Sequence, residues 1–241
     1  MLKFIFYLTI LLLVSCTKGS FKSDGKYSVQ LSKLRNSYLN TREIVFENAS
    51  IQVATLKSKT YTFCQVNNQM NYDLLVNAWI NCRYDFLLTA PYWYGDNAVT
   101  IPGSDVISRM EIYPVSLGYL DYTSANPTSG IINDAVNYPT ISTYNLKSWH
   151  QQGGAQNVTC GLHALEGMIW GEDNNASGPA NRPLIDFQNV RRKQFLQSNI
   201  SIFEDDFNDV KNKTQFETEF LKLTPQQSFK FIISGLSEFV R

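Results

Sequence analysis

The helical spacing of its apolar residues constrains the fold of this 241-residue chain most strongly. On one face of a predicted helix, at intervals of four, three and four, lie Leu75, Trp79, Cys82 and Phe86. Asn71 or Asp73 is predicted to cap the start of this helix, and Pro91 to mark its end. The pattern therefore favours an all-α protein.

The same spacing recurs before and after this helix, with one long interruption. Separate helices are predicted around 31–38 and over 43–68, 158–170, 184–197, 201–223 and 229–240. Residues 92–157 are rich in proline and glycine, which break every candidate helix there, yet their content is aromatic and apolar. The predicted fold is an up-down helical bundle with a long structured loop excursion at about 92–157.

The N-terminus has the pattern of a lipoprotein signal. An apolar run from Phe4 to Val14 follows an early lysine and is too short to cross a bilayer, which needs about 20 residues. The run ends in Leu13-Val14-Ser15-Cys16, which resembles a bacterial lipobox, whose cysteine is lipidated and becomes the mature N-terminus.

This pattern sets the predicted domains and location. We predict a signal peptide over 1–15, a tether over 16–26 and one helical domain over 27–241. The lipid on Cys16 would anchor the protein to a membrane without a spanning helix. Because Thr17 is not aspartate, the inner-membrane retention signal is absent, and the outer membrane of the bacterial cell envelope is the predicted location.

The charge balance argues against a nucleic-acid partner. The chain has 21 basic and 21 acidic residues, and neither sign forms long runs. Nucleic-acid binding depends on a basic surface, so we predict no nucleic-acid contact.

Lipidation of Cys16 leaves three cysteines for the folded domain, Cys64, Cys82 and Cys160. None of them forms a CxxC pair, which argues against a zinc ribbon and against a thioredoxin-type redox centre. A disulfide between Cys64 and Cys82 is one pairing that the sequence allows, and it would leave the third thiol unpaired.

The candidate chemistry lies in CGLHALEGMIWGED, residues 160–173, which holds one of only two histidines. On a helix, His163 and Glu166 lie about 5–6 Å apart on one face, so both can reach one metal ion. Cys160 falls on an adjoining stripe, and the zinc-protease motifs HExxH and HxxEH are not met. Spacing alone favours an ordinary polar pair on a helix over a metal site.

Two glycines flank this pair. Glycine inside a helix costs about 1 kcal/mol relative to alanine, so Gly161 and Gly167 predict that a neighbouring backbone approaches closely.

The longer stretch NVTCGLHALEGMIWGED resembles the GxHxxE signature of the imelysin family, also called the insulin-cleaving membrane protease family. In register with that signature stand Gly161, His163, Ala164, Glu166, Trp170, Gly171 and Asp173. The resemblance covers most of the mature chain and extends to AWINCR with Trp79 and Arg83, GYLDY with Asp121, SGIINDAVNYPTI, and NRPLIDF with Arg182 and Asp186.

The resemblance implies an all-helical fold of two four-helix-bundle halves, a bacterial envelope location, and a divalent metal ion bound by His163 and Glu166. The weaker ligand candidates are Asp121, Glu172, Asp173 and Cys160. Relatives include iron-regulated lipoproteins and the periplasmic component of a ferrous-iron uptake system. The resemblance therefore implies iron rather than zinc, and iron-uptake partners in the envelope.

Two other functions stay open. The historical label of the family is peptidase, and in that case a water molecule polarised by the metal would attack the substrate with Glu166 as base. Alternatively, the chain is a truncated relative with a structural or interaction role.

The sequence also departs from the family pattern. The glutamate that usually precedes the aromatic run is Ala90 here, and the usual Asn-x-Trp-Pro reads Glu111-Ile112-Tyr113-Pro114. Family members are generally much longer, so we expect this chain to correspond to the N-terminal bundle half. A missing carboxylate near the proposed site would weaken metal binding or change the preferred ion.

Overall fold

The computed structural model describes residues 27–93, 104–173 and 182–239. Within these ranges the regular structure is helical, apart from an isolated bridge between Thr123 and Asn126. This confirms the predicted all-α helical bundle. The predicted signal peptide and tether, and residues 94–103 of the predicted loop excursion, lie outside the described residues.

The α-helices of the described residues are α1 (Ser28–Gln65), α2 (Gln69–Leu87), α3 (Ser104–Met110), α4 (Leu117–Leu120), α5 (Thr143–Trp149), α6 (Leu162–Trp170), α7 (Val190–Lys211), α8 (Lys213–Leu221) and α9 (Pro225–Phe239). Two 3-10 helices span Ala90–Tyr92 and Leu184–Gln188.

The first helix is one continuous element of 38 residues, where the sequence predicted two. No glycine or proline interrupts Ser28–Gln65, so the β-branched residues of its second half lower helix propensity without ending the helix. Its buried side chains include Phe46, Val53, Leu56 and Phe63. These residues line one face, and packing of that face against the bundle keeps the helix intact.

The cap of α2 also differs from the prediction. The Asn68 side chain accepts a hydrogen bond from the Asn71 backbone N–H at 2.9 Å, so Asn68 is the N-cap. Asn71 instead donates its side-chain amide to the Val66 carbonyl at 2.7 Å. The predicted caps Asn71 and Asp73 both lie inside α2, which begins one turn earlier than predicted.

Between α2 and α6, the described part of the predicted loop excursion is not free of helices, because it contains α3, α4 and α5. The predicted helix over 158–170 begins only at Leu162, and it ends at Trp170, before Gly171, as predicted. Beyond it, α7 runs through the predicted break near 198–200 and ends at Lys211, where Asn212 caps the next helix. The last predicted stripe is α9.

The core forms where α1, α2 and α7 pack together, and phenylalanine rings fill much of it. Phe46 stacks on Phe207 with ring centroids 5.8 Å apart, and Phe86 lies 5.1 Å from Phe203. Cys64, Cys82 and Cys160 are free thiols buried in this core, so the allowed Cys64–Cys82 disulfide is absent. Among the described helices, none combines the length and apolar character needed to cross a membrane.

Candidate metal site

The site is built on α6, whose start is held by three neighbouring elements. Gly161 precedes the helix with φ +92°, and a Cβ on it would lie 2.4 Å from the Arg109 carbonyl oxygen and 2.5 Å from that of Met110. Only glycine allows this approach of backbone to backbone. The prediction of close packing is therefore confirmed at Gly161.

Gly167 is different, since a Cβ there would meet only side-chain atoms of Leu117 and Leu120, at 3.4 and 3.7 Å. These are ordinary van der Waals distances. The prediction that the neighbouring backbone approaches Gly167 closely was wrong.

Polar side chains complete the support of this helix. Asn199, fully buried on α7, accepts from the Gly161 N–H at 3.0 Å and donates to the Thr159 carbonyl at 3.2 Å. Trp79 on α2 donates its indole N–H to the Leu162 carbonyl at 2.9 Å. Together these bonds fix the turn from which His163 projects.

His163 lies between two carboxylates. Its Nδ1 is 2.7 Å from Glu166 Oε2, and its Nε2 is 3.3 Å from Glu111 Oε1. Burial alone would lower the pKa of His163, but the hydrogen bonds to Glu111 and Glu166 outweigh it and raise the pKa to about 9. At neutral pH the imidazole therefore carries two N–H groups and donates to both carboxylates.

Glu111 is in turn paired with Arg83 on α2, whose Nη1 lies 2.5 Å from Glu111 Oε1. Its other oxygen, Oε2, is buried and has no hydrogen-bond partner among the described residues. The four side chains form a chain of alternating charge in the order Arg83, Glu111, His163 and Glu166, and it ends at Glu166, which is 42% exposed.

The outer end of this chain opens into a cavity of about 300 Å³. His163 and Glu166 line it with Glu172 and Asp173, and Tyr113, Val115 and Leu117 form an apolar wall. The structure therefore places four of the sequence-predicted ligand candidates around one cavity. Glu172 also accepts a hydrogen bond from the Ser124 backbone N–H.

The other two candidates lie elsewhere. Asp121 is fully buried, and both of its oxygens accept from Arg192, at 2.7 and 2.8 Å, while Oδ2 also lies 2.8 Å from Arg182 Nη1. Burial alone would raise the pKa of Asp121, but Arg192 and Arg182 hold it below its usual value. With both oxygens engaged by arginines, Asp121 is a structural anion in this arrangement.

Cys160 precedes α6 instead of lying on it, and only 1% of its surface is exposed. Burial raises the pKa of its thiol to about 12, so it remains protonated at neutral pH. The second histidine, His150, accepts from the Thr159 N–H at 3.3 Å, and burial lowers its pKa to about 4. Neither side chain lines the cavity next to His163.

The cavity fits a divalent cation as an open, incomplete site. It offers one imidazole and three carboxylates, a nitrogen and oxygen set that suits iron or zinc. Within the described residues, no three histidine, cysteine, aspartate or glutamate side chains already converge as a ligand group. Beyond the His163–Glu166 pair, the described carboxylates that line the cavity are Glu172 and Asp173, and solvent could complete the ligand set.

Sequence reasoning missed the role of Glu111, which lies 52 residues from His163. The available signal was the carboxylate in a position where the family pattern has asparagine. Asn199 was also missed, because a buried asparagine within a helix has no distinctive sequence pattern.

Comparison with known proteins gives one family. The sequence model described as Imelysin matches residues 45–241, from the middle of α1 through the whole site. No curated protein matches the chain.

Proposed function

Because the chain belongs to the imelysin family, we propose that it is a lipid-anchored protein of the bacterial cell envelope that binds a divalent metal ion at His163 and Glu166. Iron is the proposed ion and uptake or homeostasis the proposed role, with envelope iron-uptake proteins as partners. A bound ion would supply a cationic centre for the carboxylates of the cavity.

The observation that carries this proposal is the His163–Glu166 contact at the cavity wall. Nδ1 and Oε2 are 2.7 Å apart and share a proton, and a cation entering from the cavity can take the place of that proton. Glu172 and Asp173 line the same cavity, so additional oxygen ligands are near. Imidazole nitrogen suits iron and carboxylate oxygen suits harder ions, so this mixed set is compatible with iron(II).

The incomplete ligand set supports a role in transfer. A structural metal site is closed by four protein ligands, whereas this cavity presents one preformed pair. A site with few fixed ligands releases its ion more easily than a closed one. Such exchange is what a protein that passes iron to a partner needs.

Membrane attachment is proposed from Leu13-Val14-Ser15-Cys16, which lies outside the described residues. The replacement Cys16→Ser removes the thiol that would carry the lipid. We expect this variant to move from the membrane fraction to the soluble fraction, as measured by fractionation and immunoblotting. Retention of the variant on the membrane would contradict a lipid anchor at Cys16.

The metal proposal predicts that the purified mature protein binds one Fe²⁺ per chain. We expect the double variant His163→Ala/Glu166→Ala to bind more than about tenfold more weakly, since loss of even an outer-shell partner costs that much. Because the ion displaces a proton from His163, affinity should rise about tenfold per pH unit up to the pKa of about 9. Anaerobic calorimetric titration measures both effects.

His150→Asn is the matched control, because it removes the only other histidine, which does not line the cavity. It should bind Fe²⁺ like the wild type. Equal, weak binding by the wild type and the double variant would end the metal proposal. A parallel Zn²⁺ titration tests the preference for iron.

A metal-dependent peptidase is the second candidate, favoured by the position of Glu166. Its side chain is 42% exposed at the cavity wall, where it could accept a proton from an attacking water molecule. This function requires chelator-sensitive cleavage of an unfolded protein substrate, with the activity lost in Glu166→Gln.

A further inference from the structure

We propose that Glu111, held by Arg83, is a positioning residue that orients the His163 ring so that Nδ1 faces Glu166 and the cavity. What the oriented ring binds rests on the proposed function, but the orientation itself does not. Nothing in the GxHxxE spacing includes either residue, since both come from other segments of the chain.

The contacts of its two nitrogens define the orientation of the His163 ring. Nδ1 and Nε2 of an imidazole point away from each other, and in His163 each faces a different carboxylate. Rotating the ring by half a turn about its χ2 angle would put carbon atoms where the two nitrogens now stand. A carboxylate on Nε2 therefore selects one of two ring orientations, and a ligand histidine is commonly oriented in this way.

The position of the Glu111 side chain depends on Arg83. Arg83 Nη1 lies 2.5 Å from Glu111 Oε1, and Oε2 has no hydrogen-bond partner among the described residues. A mostly buried carboxylate is costly without a compensating cation. Arg83 supplies such a cation from α2 whether or not His163 is protonated, and it thereby keeps Glu111 beside Nε2.

The backbone just before Glu111 also helps to place this residue. It directly follows Arg109 and Met110, whose carbonyl oxygens pack against Gly161. The same contact thus sets the position of the α6 start and of the residue that reaches His163. The orientation of the ring and the placement of its carboxylate are consequently coupled through one glycine.

Nuclear magnetic resonance of the ¹⁵N-labelled, metal-free protein tests the orientation. His163 is one of two histidines, so a spectrum of His150→Asn assigns its ring signals. We expect a hydrogen-bonded Nε2–H signal in the wild type, its loss in Glu111→Ala, and its partial retention in Glu111→Gln, which keeps an acceptor oxygen. An unchanged Nε2–H signal in Glu111→Ala would overturn the proposal.

Cation affinity separates positioning from simple charge. If Arg83 acted only through its charge, Arg83→Met would strengthen Zn²⁺ binding, because it removes a nearby cation. If Arg83 acts by holding Glu111, Arg83→Met should weaken binding about tenfold, as Glu111→Ala should. The double variant Arg83→Met/Glu111→Ala should then bind Zn²⁺ no more weakly than either single variant. Stronger binding by Arg83→Met would overturn the role of Arg83.

The two readouts also distinguish this inference from the proposed function. If the wild type binds no metal, the ring signals of the metal-free protein still decide whether Glu111 orients His163. If Glu111→Ala does not fold, as judged by circular dichroism, Glu111→Gln and Arg83→Met provide the same comparison.

Discussion

Asp121→Asn is expected to lower the free energy of unfolding by about 3–5 kcal/mol, the usual cost of breaking a buried ion pair on one side. Asp121 is fully buried and is contacted by the guanidinium groups of Arg182 and Arg192, of which only 1% and 8% are exposed. Asparagine keeps the shape but removes the charge, so of the described ion pairs of these two arginines only Arg182–Asp186 would remain. Urea denaturation followed by circular dichroism measures the loss.

Asp73→Asn is the matched control, because Asp73 is exposed on α2 and its side chain accepts a hydrogen bond from Gln69 one turn away. Its unfolding free energy should stay within about 0.5 kcal/mol of the wild type. The pKa of Asp121 in the folded protein lies below its usual value, so the charge of Asp121 stabilises the wild type at pH values above that usual value. This stabilisation should be lost as the pH falls from the usual pKa through the lowered one. An Asp121→Asn protein as stable as Asp73→Asn would show that the cluster is not a stabilising element.

The Asp121 cluster also links the bundle to the candidate site. Arg182 donates weakly to the Gly167 carbonyl on α6, at 3.4 Å, and its guanidinium packs against Gly171 at the end of that helix. The start of α6 is held by Asn199 and Trp79, and its end by Arg182. The nine-residue helix therefore owes its position to neighbours more than to its own length.

The all-α class was predictable from the sequence because the spacing of the apolar residues indicates that each helix buries one face. Boundaries were less predictable, since they depend on which of several polar residues caps the helix and on packing around it. Asn68 lies only three residues before Asn71, and both are good caps in isolation. The continuity of α1 likewise reflects packing along its length, which propensity does not describe.

The candidate site, like the fold, was predictable from the sequence only in part. The His163–Glu166 contact was predictable, because i and i+3 on a helix meet through local geometry alone. Glu111 reaches His163 only through the fold of the intervening excursion, so no spacing rule finds it. Asp121 was a reasonable carboxylate candidate by residue type, but Arg192, 71 residues later, already occupies its oxygens.

Gly161→Ala is expected to destabilise the protein by about 3 kcal/mol or more and to weaken cation binding. The backbone at Gly161 has φ +92° and ψ −180°, a region essentially restricted to glycine, and a side chain there costs about 1–3 kcal/mol. The new Cβ would also lie 2.4 Å from the Arg109 carbonyl oxygen, and backbone cannot rotate away as a side chain can. The segment carrying Glu111 would have to shift away from His163.

Gly167→Ala separates this effect from a general sensitivity of α6. Gly167 lies in the same helix, its Cβ would meet only leucine side-chain atoms, and alanine is favoured over glycine within helices by about 1 kcal/mol. We expect Gly167→Ala to unfold within about 1 kcal/mol of the wild type, whereas Gly161→Ala unfolds at clearly lower urea concentration. Equal stability of the two variants would mean that the segment ending at Met110 can move away from Gly161 at little cost, and that the signature glycine does not position Glu111.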